Sequence, residues 1–130
     1  MAIKIDYKFG VVVQGGPSVN IKQDPIEVGA YDVTSAILPP ESGGTPSDTT
    51  VHVGPAGAAG TVVLFVISAD AYNKQVTYDV GGTARGLDGP LLLVGPGAVT
   101  LLGVTPPATL TFHNGTTSPV QVQVLVGRQA

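Results

Sequence analysis

No stretch of ten residues in this chain carries a convincing 3.6-residue apolar period. Glycine (18) and proline (11) are instead spread through its 130 residues as punctuation, and the runs between them are short and rich in Val, Thr, Ile and Leu. β-Branched side chains are stiff at χ1 and fit a pleated strand better than a helix, and each Gly or Pro ends a run before it lengthens. The fold expected is all-β: an antiparallel two-sheet β-sandwich, jelly-roll or Greek-key like, of about eight short strands with no substantial helix. One domain spans residues 1–130 at this length.

Ile3 to Phe9 puts Ile3, Ile5, Tyr7 and Phe9 on one face and Lys4, Asp6 and Lys8 on the other, a half-buried strand. A weaker strand covers Val19 to Gln23, and a firm one runs from Ala30 to Leu38, where Pro39-Pro40 stops it. Residues 39–49 read as the longest polar loop, followed by a short strand from Thr50 to Val53. Gly54, Gly57 and Gly60 are spaced like collagen triplets, yet far too few for a triple helix, so 54–60 is expected to be a turned or flexible loop.

Thr61 to Ser68 is apolar on both faces, the mark of a central strand covered on each side. One face goes to the core, and a subunit contact is the economical cover for the other. Gln75 to Val80 alternates, and the glycine-rich stretch 79–90 reads as a loop. In it Arg85 and Asp88 pair either with each other or with a neighbouring subunit. Leu91 to Val94 and Ala98 to Val104 are read as strands flanking Gly95-Pro96-Gly97. Thr109 to His113 and Val120 to Val126 close the chain around Asn114-Gly115, a dipeptide common in hairpin turns.

The chemistry-bearing residues are sparse. Zero cysteine removes thiolate catalysis, disulfides and Cys-based metal sites, and two histidines exclude a three-histidine metal centre. There is no Gly-x-Ser-x-Gly nucleophile turn, dinucleotide fingerprint or P-loop, so neither enzyme activity nor a cofactor is expected. Six scattered basic residues and a net charge of −3 offer no basic face for nucleic acid. The opening Met1-Ala2-Ile3-Lys4-Ile5-Asp6 lacks the apolar centre of a secretory signal, and no run is long enough to span a membrane.

Charged residues make up only 12% of the chain, against about 25% in ordinary soluble domains. A small protein with so little charge is expected to cover part of its surface with copies of itself or a larger assembly. The candidate assembly contacts are Ile3, Ile5 and Tyr7 near the start, Val63, Phe65 and Ile67 in the central strand, and Arg85 and Asp88. The alternative is a carbohydrate- or receptor-binding module of a phage tail or adhesin, with Tyr72 and Tyr31 as stacking platforms.

Residues Val62 to Arg128 resemble the small β-sandwich proteins that decorate or cement the heads of tailed bacteriophages. The resemblance is carried by the both-faces apolar strand, Ala69-Asp70-Ala71-Tyr72, the alternating Val76 to Val80, Leu87-Asp88-Gly89-Pro90, the turn Gly95 to Gly97 and the closing strand to Arg128. It implies a capsid-surface location after synthesis in the host cytoplasm, a homotrimer, and a major capsid protein as partner. It also implies an N-terminal arm over Met1 to Gly16, while the residues themselves fit an ordinary edge strand equally well.

Overall fold

The computed structural model describes residues 3–12, 14–19, 24–53, 62–80, 82–102 and 108–129. In chain order the strands are β1 (Ile3–Ile5), β2 (Val11–Val12), β3 (Ser18–Val19), β4 (Ile26–Val28), β5 (Ala30–Leu38), β6 (Ser47–His52), β7 (Val62–Ala69), β8 (Asn73–Val80), β9 (Thr83–Leu87) and β10 (Leu91–Val94). A single helical turn, α1 (Pro96–Val99), continues as a 3₁₀ turn over Thr100–Leu102, and β11 (Thr109–Asn114) and β12 (Val120–Arg128) follow.

Eight of these strands form two antiparallel sheets, ordered β10-β7-β12-β5 and β6-β11-β8-β9. From β5 onward every consecutive pair crosses between the sheets except the β8–β9 hairpin. That interleaving is jelly-roll topology, and the all-β sandwich expected from the sequence is the fold. The inward rows of both sheets meet in one core, with Phe65, Ile67 and Val124 from the first sheet against Val76, Leu110 and Phe112 from the second. Phe112 and Tyr78 stack at a tilt with ring centroids 6.1 Å apart.

β7 lies between β10 and β12, as its two-sided apolar character requires. Part of its outer cover comes from the chain itself. β1 pairs with β4, Ile3 opposite Val28 and Ile5 opposite Ile26, and this ribbon roofs the sheet at Gly127. A Cβ on Gly127 would stand 3.0 Å from Val28 Cγ1, 3.3 Å from Leu64 Cβ and 3.6 Å from Ile5 Cδ1. Glycine is what allows the ribbon so close.

Several expectations need correction. The first strand ends at Ile5, and Phe9 is exposed rather than on a buried face. The loop expected over 39–49 ends sooner, because Ser47, Asp48 and Thr49 pair with Asn114, His113 and Phe112 in β6–β11. The glycine-rich 79–90 stretch holds β9, drawn into the sheet by pairing with β8 rather than by its own propensity. Of the strand expected over Ala98 to Val104, the described part, Ala98 to Leu102, is helical: Gly95 at φ 94° redirects the backbone and Pro96 opens α1, where proline's missing N–H costs nothing. Residues 103–107 are outside the described set, as are 20–23 of the weak strand and the 54–60 glycine segment.

β11 and β12 are not a hairpin; they belong to different sheets. Asn114 ends β11 fully buried and organises the crossing. Its Nδ2 donates to the carbonyls of Leu38 (3.2 Å) and Ser118 (2.9 Å), while its Oδ1 accepts from Thr116 N (2.9 Å) and Oγ1 (2.6 Å). A buried amide whose polar atoms are all engaged holds a corner that no local turn preference would specify.

Candidate functional site

The two outer faces of the sandwich are chemically unlike. Strand alternation places every second residue of β10, β7, β12 and β5 outward, and none of these outward residues is charged. Register joins Val33, Leu125, Val66 and Leu92 into one apolar row across all four strands. Beside it Tyr31 and Ile37 stand out from β5, an edge strand; Tyr31, Val33 and Ile37 are 51%, 57% and 66% exposed. The sheet's only two charged residues, Asp32 and Arg128, turn the other way. Arg128 Nη2 lies 2.5 Å from Asp32 Oδ2, with the arginine almost wholly buried and its Nη1 making no hydrogen bond.

The opposite face is polar. Thr50 and Thr111 meet across β6–β11 at 3.2 Å, and the next pair on that outward face, two residues along, is Asp48 with His113. His113 Nδ1 is 2.5 Å from Asp48 Oδ1, and its Nε2 is 2.8 Å from Asp79 Oδ2 on β8. The imidazole thus ties three strands together. Its pKa is raised above 6.5, first by the hydrogen bond to Asp79, then by that to Asp48, with partial burial opposing. Both ring nitrogens are engaged by carboxylates. Among the described residues no three His, Asp or Glu side chains converge to hold a metal ion.

The residues expected to make assembly contacts are scattered. Ile3, Ile5 and Tyr7 are half-buried, and the first two serve the ribbon of their own chain. Val63, Phe65 and Ile67 are buried within the molecule, which corrects their reading as contacts. The outward residues of that strand include Leu64, under the ribbon, Val66 and Ser68. Arg85 and Asp88 are both exposed and make no ion pair with each other, although the charges of both act on the Tyr78 hydroxyl.

Sequence alone missed the outward apolar row because it depends on registers between strands distant in the chain. The acid–histidine cluster was missed because Asp48 was assigned to a loop. The one available signal was His113 sharing a polar strand face with Thr109 and Thr111, matched by Asp79 on the polar face of its own strand.

A shallow groove of about 240 Å³ lies at the end of the uncharged face, lined by Ser68, Ala69, Asp70, Gln121 and Gln123. Asp70 Oδ1 accepts from Gln121 N (3.0 Å), and the Tyr72 hydroxyl accepts from Ala69 N (3.3 Å). These features define a jelly-roll sandwich with one sheet face free of charge and the other polar. Comparison with protein-family models, curated proteins and solved structures finds no match.

Proposed function

We propose that the protein is a non-enzymatic structural component that assembles through the outer face of the β10-β7-β12-β5 sheet. The particular role is that of a capsid decoration protein, a homotrimer seated on a major capsid protein. One observation supports it above the rest: a charge-free apolar row, exposed at Val33 and half-buried at Leu125, Val66 and Leu92, crosses a whole sheet while the sheet's only two charges are turned inward. Burying such a face gains roughly 25 cal/mol per Å² without desolvating any charge. Many copies on a lattice convert a modest contact into firm attachment. Jelly rolls are common in viral capsid and lectin domains.

The test is sedimentation of wild-type and Val33→Lys protein, alone and with the particles from its natural source. Wild type is expected to self-associate at roughly 100 μM, where a micromolar contact is saturated, and to co-sediment with megadalton particles. Val33→Lys should do neither while keeping its melting temperature. A wild-type chain that stays monomeric and free of particles overturns the proposal.

Carbohydrate binding is favoured by a separate observation, the amide- and carboxylate-lined groove beside Tyr72. In that case Tyr72→Ala and Gln123→Ala abolish retention on a glycan array, and Val33→Lys leaves it intact.

A further inference from the structure

The core is not closed everywhere. β9 is an edge of one sheet and β10 an edge of the other, and beside them a pocket of about 290 Å³ opens. It is lined by Tyr78 and Val80 of β8, Arg85 of β9, Leu91 and Leu93 of β10, and Leu101 and Leu102 of the 3₁₀ turn. Leu101 is 75% exposed at its rim, the most exposed large apolar side chain among the described residues.

Arg85 alternates with the fully buried Leu87 and so stands on the inward side of β9, where a strand ordinarily places an apolar residue. Among the described residues its guanidinium makes no ion pair or hydrogen bond, while its backbone pairs with Tyr78 in the β8–β9 ladder. Its charge acts on the Tyr78 hydroxyl, as does the opposing charge of Asp88. The pocket thus has an apolar body and, at one side, an unpaired guanidinium near a phenol.

We propose that this pocket binds a small amphiphile, an apolar chain of medium length ending in a carboxylate. The leucines take the chain, and Arg85 and the Tyr78 hydroxyl donate to the head. Such a head fits because one guanidinium matches one carboxylate in charge and fork geometry, and Asp88 opposes a dianion in its place. The length follows from volume: about 290 Å³ is the small end of ligand pockets, which run from ~300 to ~1,000 Å³. This site uses the inward residues of β10, Leu91 and Leu93, while the assembly row uses the outward Leu92, and it stands or falls independently of that row.

Octanoate is the probe, titrated into the isotope-labelled protein and followed by amide NMR shifts, with octan-1-ol as the uncharged comparison. Saturable shifts are expected at Tyr78, Leu91, Leu93 and Leu102, with octanol weaker. Arg85→Gln should bind octanoate roughly tenfold less tightly, the loss expected for one charge-assisted hydrogen bond, at an unchanged melting temperature. Absence of saturable shifts overturns the proposal. So does equal octanoate affinity in wild type and Arg85→Gln, which would leave Arg85 only the task of an inward charge that keeps an edge strand from pairing.

Discussion

Arg128 carries a charge into the interior at the end of β12, and Asp32 answers it from the paired strand β5. Removing one partner of a buried pair leaves the other uncompensated, a cost of about 3–5 kcal/mol when both are buried. Asp32 remains 41% exposed, so solvent screening reduces this: Asp32→Ala should lose about 2 kcal/mol in urea denaturation. At Gly127 the constraint is space rather than charge. Gly127→Val must push Val28 or Leu64 aside and should cost about 1–3 kcal/mol, the usual penalty of overpacking.

His113 gives the residue scale its pH dependence. Its folded pKa is raised above the ordinary 6.5, so the protonated form is favoured by folding. The resulting stability is present in full below 6.5 and drains away as pH rises through the folded value. Melting temperature should therefore fall from pH 6 to pH 8 in the wild type and change less in His113→Gln. A flat wild-type profile would show that the two carboxylates do not hold the imidazolium.

At the scale of elements, the period-two strands were legible and the context-made ones were not. β5 emerged with its observed limits because Pro39-Pro40 ends it and its neighbours alternate cleanly. β7 could be identified as central from its two apolar faces alone. β9 could not: Thr83-Ala84-Arg85-Gly86-Leu87 has little strand preference and extends because β8 offers it partners. Likewise Asn114 looked like the start of a turn, and only the carbonyls of Leu38 and Ser118 explain its burial.

The β1–β4 ribbon bears on the two readings left open for the opening residues, an arm for a neighbour or a strand of this domain. An arm reserved for a neighbour could be removed without harm to the fold. β1 instead helps cover Leu64 and Gly127 of its own chain. Deleting residues 1–9 should expose that apolar patch, lower the melting temperature and raise binding of a hydrophobic dye. Unchanged stability would restore the arm reading.

At the scale of the whole molecule, the low charge led to the expectation of a covered surface, and the outer face of the β10-β7-β12-β5 sheet is the one proposed for it. The low charge was evident from counting. That the outward strand residues of one sheet would all be uncharged was not, because it depends on which strands the jelly roll makes neighbours. Of the candidate contacts named from the sequence, Phe65 and Ile67 proved to be core, since apolar content alone does not distinguish inward from outward residues on a two-sided strand.

A body with one uncharged flank and one titratable flank has a built-in up and down. Spread at an air–water or oil–water boundary, it should settle with Val33 and Leu125 toward the apolar phase and Asp48, His113 and Asp79 toward the liquid. The film would then act as a pH-responsive coating, its zeta potential becoming more negative as His113 loses its proton.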